Sequence, residues 1–155
     1  MSLNELGECR CWDESGTYKY TLLPICVLQI SGGLSCIALE SVLLTMVRES
    51  RQTYAGFWTG ALMLLTALVR LVYAKFPWKG LSLCLLGLDC TVILQSVATT
   101  VTELFGCYMF DTLYCIQSFI FLNKLYFAIG AVCLFEALVS FWGFFHILLI
   151  LTDAI

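Results

Sequence analysis

Charge is scarce in this sequence: Asp, Glu, Lys and Arg make up 12% of its 155 residues, about half the share of an ordinary soluble domain. So few charged groups cannot clothe a globule of this length in water. Lys and Arg never cluster, and the net charge is -3, so the chain has no basic run to neutralise a nucleic-acid backbone, and nucleic acid is not an expected partner. Histidine occurs once, as His146, and no two cysteines stand in a C-x-x-C. That excludes the common zinc spacings and the redox pair of four-helix thiol oxidoreductases. There is no nucleophile–base pair and no phosphate loop, so neither enzymatic activity nor a cofactor or metal is expected. No N-x-S/T sequon occurs. Residues 1–20 lack a basic segment followed by an apolar one, so no cleavable signal peptide is expected.

What the chain has in abundance is apolar length. Hydrophobic residues make up 61% and mean hydropathy is +0.92, which points to bilayer lipid as the solvent. The sequence predicts an all-α, integral membrane four-helix transmembrane bundle, antiparallel, with both termini cytosolic. Its parts are a short N-tail at 1–20, a first span at 21–47, an outer loop at 48–54, a second span at 55–74, an inner turn at 75–79 and a third span at 80–102. An outer loop with a cysteine pair follows at 103–115, then a fourth span at 116–150 and a C-terminus at 151–155. Two starts are open for the fourth span, Ile116 and Leu125. The earlier is preferred, with Lys124 snorkelling outward from a long, tilted helix.

Sidedness follows from the basic residues. With the N-terminus inside, Arg10, Lys19, Arg70, Lys75 and Lys79 lie on or near the cytosolic side, against Arg48, Arg51 and Lys124 outside. The same orientation exports the loop holding Cys107 and Cys115, where a disulfide between them can persist. Cys26, Cys36, Cys84, Cys90 and Cys133 fall inside spans and read as small packing residues. Cys9 and Cys11 stand before the first span, where palmitoylation and free thiols are both open readings.

Four charged residues are placed at depth within the spans: Glu40, Arg70, Asp89 and Glu136. Charges at such depth are costly and call for a reason. Asp89 lies roughly 13 Å from the cytosolic edge and Arg70 about 6 Å, counting 1.5 Å per residue, so the two are expected to pair across the inner turn. Glu40 is placed in the outer half, near the depth of Gln95. Two readings cover the set: an ion or proton path, or mutual satisfaction by pairs and hydrogen bonds between helices. Small residues mark close helix contacts, with Gly32 and Gly33 in the first span and Gly56 and Gly60 forming a GxxxG in the second. The GxxxG is expected to serve self-association, with packing inside one subunit as the alternative.

Several stretches resemble the membrane-spanning four-domains subfamily A, the family of the B-lymphocyte surface antigen and the IgE receptor beta chain. Residues 29–39, Gln-Ile-Ser-Gly-Gly-Leu-Ser-Cys-Ile-Ala-Leu, are similar to the family's first-span pattern Q-I-x-x-G-L-x-x-I-A-L. Tyr54, Trp58 and Gly60 resemble its aromatic entry to span two. Tyr114-Cys115-Ile116-Gln117-Ser118 and Phe135-Glu136-Ala137-Leu138-Val139 resemble its last loop and fourth span. The resemblance implies cytosolic tails, an outer-loop disulfide in which Cys115 is the second cysteine, homo-oligomers, and a role beside surface receptors or in calcium-linked signalling. Cys107 is closer to Cys115 than the family pattern has it, and Thr66-Ala67 replace a frequent Ser-Gly.

The function expected from the sequence is therefore a non-enzymatic four-span protein that oligomerises and associates with other membrane proteins. It would modulate receptor assembly, trafficking or signalling, at the plasma membrane or in an endomembrane. The alternative is an ion channel or conduit subunit using the intramembrane charges.

Overall fold

The computed structural model describes the backbone of residues 17–46, 54–111 and 118–153, and the side chains of 21–45, 54–105 and 124–152. Within these, the chain forms four helices: α1 (Thr17–Met46), α2 (Ala55–Lys75), α3 (Lys79–Asp111) and α4 (Ser118–Asp153). Each contains a stretch long and apolar enough to cross a membrane, over Thr21–Thr45, Ala55–Lys75, Lys79–Phe105 and Lys124–Thr152. The shortest, 21 residues, rises about 31 Å, the thickness of a bilayer's hydrocarbon core. The protein is an integral, multi-pass membrane protein built as a four-helix bundle.

Helices form here because a backbone in lipid must satisfy its own hydrogen bonds. Pro24 lies inside α1, where it withholds one N–H without ending the helix. Between α2 and α3 the chain reverses within three residues. The Phe76 N–H closes α2 on the Val72 carbonyl at 2.8 Å, and the Trp78 carbonyl opens α3 by accepting from Leu81 and Ser82 at 3.0 and 3.1 Å. Pro77 suits this turn, having no N–H to satisfy. Across the other connection, α2 starts behind Tyr54, held in the left-handed region at φ 51°.

α1 packs beside α2 and α4, and α3 beside the same two, so the helices stand at the corners of a square. Cross-helix pairs fix the antiparallel registers. Along α1 and α2, the Cys26 thiol reaches the Ala67 carbonyl, Gly33 meets Gly60, and Glu40 lies on Gly56. Along α1 and α4, Gln29 bonds Ser140, Gly32 meets Glu136 and Cys36 meets Cys133. Arg70–Asp89 and Thr59–Thr99 set α2 against α3, and the Thr100 hydroxyl donates to the Gly130 carbonyl of α4.

The sequence reading ends the third span at Thr102 and begins a loop at Glu103. The helix instead continues to Asp111, and Glu103 is buried. It stands seven residues beyond Ser96 and fourteen beyond Asp89, on the same inward stripe, so the helix that carries those residues inward carries Glu103 too. α1 begins at Thr17, four residues before the expected span, and α4 runs from Ser118 to Asp153. Lys124 is exposed, in keeping with a snorkelling side chain.

Candidate functional site

The charged side chains within the spans point inward and many large apolar ones outward, unlike the surface of a water-soluble bundle. Gln29, Glu40, Arg70, Asp89, Ser96 and Glu136 are buried, while Leu94, Leu138 and Phe127 stand well over half exposed. Trp58 and Trp78 are exposed near helix ends, where indoles anchor at a bilayer interface.

Stacked along the bundle axis, the inward residues form successive levels. The level nearest the α2–α3 turn is an apolar plug of Leu22, Tyr73, Leu85, Ile147 and Ile150. Next comes the Arg70–Asp89 pair that the sequence leads one to expect, with both side chains fully buried. Nη2 of Arg70 donates to both carboxylate oxygens, at 2.5 and 2.7 Å. The guanidinium lies over Gly143 of α4, where a Cβ would stand 2.5 Å from Nη1. Gln29 follows, its Nε2 donating to the Ser140 hydroxyl at 3.2 Å and lying beside Asp89.

At mid-height Glu136 of α4 lays its carboxylate on α1 at Gly32, where any Cβ would collide with it. The α2–α3 and α1–α4 registers bring Ser96 to this level. One level further, two side-chain pairs cross the bundle: the Thr59 and Thr99 hydroxyls at 2.7 Å and the Cys36 and Cys133 sulfurs at 3.6 Å. Beyond them Glu40 of α1 and Glu103 of α3 occupy one level, close enough to act on each other electrostatically. Glu40 packs over Gly56, where a Cβ would come within 2.8 Å of its Oε2. Leu43, Leu125, Tyr126 and Ile129 belong to the apolar cluster at this end.

Two sequence expectations change here. Glu40 matches the depth of Glu103, not of Gln95, because the α2–α3 register pairs Thr59 with Thr99 and carries Gly56 to Glu103. Of the four charges only Arg70 and Asp89 are paired, through Nη2 alone, and Arg70 Nε and Nη1 have no hydrogen-bond partner among the described residues. Glu40 Oε2, Glu103 Oε2 and both Glu136 oxygens have no hydrogen-bond partner among the described residues, and the same is true of Gln29 Oε1 and Ser96 Oγ. Among the other basic side chains described, Lys75, Lys79 and Lys124 lie at the ends of the spans and His146 stands about 15 Å along α4 from Glu136, too far along the helices to reach the middle.

The glycines are helix-packing residues, but of a different kind from the one expected. Gly60 and Gly56 face α1 of the same chain, with a Gly60 Cβ falling 2.7 Å from the Gly33 carbonyl oxygen. The GxxxG is therefore occupied within the subunit and is not a free face for a second copy. Cys9, Cys11 and Cys115 lie outside the described residues, and so does the side chain of Cys107. Among the described residues no group of three or more His, Cys, Asp and Glu is placed to hold a metal ion.

Ser96, Thr59, Thr99 and Gly143 are members of this axis that no expectation from the sequence names, while Gln29 entered only through the family pattern and Glu103 only as the start of a loop. One signal was there to find: Ser82, Asp89, Ser96 and Glu103 repeat every seven residues along α3, and all four are buried. A heptad of polar residues in an apolar helix marks an inward face.

Compared with known proteins, the chain matches no family model, no curated protein and no solved structure.

Proposed function

We propose that this is a non-enzymatic four-span membrane protein that works by lateral association, with itself and with other membrane proteins such as surface receptors, tuning their assembly, trafficking or signalling. The observation that carries this reading is the division of labour in the bundle. The charged groups within the spans are committed to the inside, and the outward faces offer lipid and neighbouring helices mainly large apolar side chains such as Leu94, Phe127, Leu138, Phe141 and Trp142, with the exposed hydroxyls of Ser31, Ser35, Ser41 and Thr91 turned back onto carbonyls of their own helices. Such faces pack against other transmembrane helices by van der Waals contact. The resemblance to the membrane-spanning four-domains subfamily A belongs to the same proposal, as do cytosolic termini, a Cys107–Cys115 disulfide and a plasma-membrane location.

Affinity capture in mild detergent, with light scattering on the purified protein, tests this. A reproducible membrane-protein partner or a defined oligomer is expected, whereas a monomer without membrane partners overturns the proposal. Impermeant thiol labelling of a cysteine introduced in 48–54 tests orientation, with labelling from outside expected.

A second reading, a cation conduit, is favoured by the carboxylates of Glu40, Glu103 and Glu136, which have no cationic partner among the described residues. Flux of cations into protein-containing vesicles tests that reading separately.

A further inference from the structure

The middle of the bundle holds four oxygen atoms from three helices that are buried and without hydrogen-bond partners among the described residues: Gln29 Oε1 on α1, Ser96 Oγ on α3, and Glu136 Oε1 and Oε2 on α4. All three residues are completely buried. An oxygen lone pair left unmet in lipid is costly, and a carboxylate more so. Such groups in a native membrane protein mark a ligand or a function.

Their placement is constrained from each side. The carboxylate of Glu136 rests on α1 at Gly32, one helical turn from Gln29 on the same face of α1. Ser140, one turn from Glu136 on α4, takes the amide N–H of Gln29, and the same amide nitrogen lies beside Asp89. The donor end of Gln29 is thus used toward Ser140 and Asp89, leaving its oxygen as an acceptor. Ser96, one heptad along α3 from Asp89, lies at the Glu136 level by register. Toward the α2–α3 turn Arg70 is ion-paired with Asp89 through Nη2, its Nε and Nη1 having no hydrogen-bond partner among the described residues. On the opposite side the nearest charges are Glu40 and Glu103, both acidic. α2 contributes buried Met63 at this level, with no charge.

We propose that Glu136, Ser96 and Gln29 form a binding site for a small, hard monovalent cation at mid-bilayer. The chemistry is that of an all-oxygen site, which suits hard ions and not soft ones. Its charge count selects monovalence. One carboxylate with two neutral oxygens is neutralised by a single positive charge, whereas a divalent ion would leave net charge in lipid. Gly32 is part of the site because its missing side chain lets the carboxylate sit against α1. The inference goes beyond lateral association, and it holds whether the bundle only binds the ion or also passes it.

The test is thermal unfolding of the purified full-length protein in detergent, in sodium chloride against choline chloride at equal ionic strength and pH. Sodium is expected to raise the transition temperature saturably, as a ligand bound to the folded state does. Glu136→Gln should abolish the difference between the two salts, while Glu40→Gln should keep it. Ser96→Ala guards against a variant that simply unfolds, since it removes only an unpartnered hydroxyl. It should leave stability in choline no lower than the parent's and weaken the apparent sodium affinity roughly tenfold, the loss of one ligand oxygen. A wild-type protein indifferent to the cation, or one stabilised by acidification but not by sodium, overturns the site. So does a sodium response that survives Glu136→Gln. Oligomer mass and vesicle flux are read independently, so failure of either functional reading stays distinguishable from failure of the site.

Discussion

Arg70 and Asp89 meet across the three-residue connection between α2 and α3, Nη2 of one donating to both carboxylate oxygens of the other at 2.5 and 2.7 Å, with neither side chain exposed. Such a pair contributes less by its attraction than it would cost if halved. Arg70→Met or Asp89→Leu alone is expected to destabilise the bundle by about 3–5 kcal/mol, since each leaves a lone charge in lipid. The double substitution should recover most of that loss. A double-mutant cycle on unfolding in detergent measures the coupling, and strictly additive effects would show that the pair is not an energetic unit.

Gly143 belongs to the same unit from the opposite helix. A Cβ there would stand 2.5 to 2.8 Å from the Nη1, Nη2 and Cζ atoms of Arg70, and a guanidinium held by Asp89 cannot withdraw without weakening the pair. Gly143→Ala should therefore cost about 1–3 kcal/mol, the usual range for overpacking. In the Arg70→Met, Asp89→Leu background the cost should largely vanish. An equal loss in both backgrounds would place its cause in α4 alone.

The bundle was legible in the sequence because four long apolar runs leave no other structure open in lipid, and the Lys75–Lys79 turn made Arg70 and Asp89 neighbours. The remainder of the axis was not. Glu103 looked like the start of a loop because it follows Thr102 and precedes a stretch mixing charge and aromatics, and only the helix continuing to Asp111 turns it inward. Glu40 and Glu136 were legible as intramembrane acids, but whether they had partners depended on helix registers that no local pattern sets. The Gly56–Gly60 motif was visible as a contact surface. Its occupant, α1 of the same chain, is a matter of tertiary packing.

Gly60→Ala would place a Cβ 2.7 Å from the Gly33 carbonyl oxygen, and backbone atoms cannot swing aside as side chains do, so α1 and α2 must separate. A loss of about 1–3 kcal/mol is expected, with oligomer mass unchanged. Gly87→Ala is the control: a Cβ there meets nothing within 4 Å, so helix propensity alone should make it neutral or stabilising by up to about 1 kcal/mol. Unfolding of both variants in parallel, with light scattering, decides the matter. A Gly60→Ala protein that dissociates without losing subunit stability would restore the glycines to a subunit interface.

Cys36 and Cys133 supply a distance check between α1 and α4. Their sulfurs lie 3.6 Å apart, far inside the bundle, and a disulfide at about 2.05 Å needs only a small approach. A membrane-permeant oxidant should join them within one chain, removing two hydrogens in intact mass and raising thermal stability, since the two helices are tied across most of the sequence. Cys36→Ala should prevent the mass change without affecting expression. Dimers linked through Cys84 or Cys90, which are exposed, would instead mean that the interior pair is inaccessible.

Glu40 and Glu103 present the opposite case from Arg70 and Asp89: two acids at one level of the bundle, each with an unpartnered oxygen, acting on each other. Neither gains from the other's charge, and each is withdrawn from water. Gln has nearly the same volume and can donate as well as accept, so Glu40→Gln or Glu103→Gln removes a charge from lipid and the repulsion between them without opening a cavity. Either substitution is expected to raise the transition temperature, and the second to add less than the first, because the repulsion disappears once. Glu136→Gln should behave differently, destabilising in sodium relative to the parent, if Glu136 alone of the three glutamates holds an ion. Unfolding of the three single variants and the Glu40→Gln, Glu103→Gln double variant, all in the same sodium buffer, separates the cases. A Glu103→Gln protein as unstable as Asp89→Leu would mean that Glu103 has a cationic partner, and the axis would then have to be redrawn as a set of pairs.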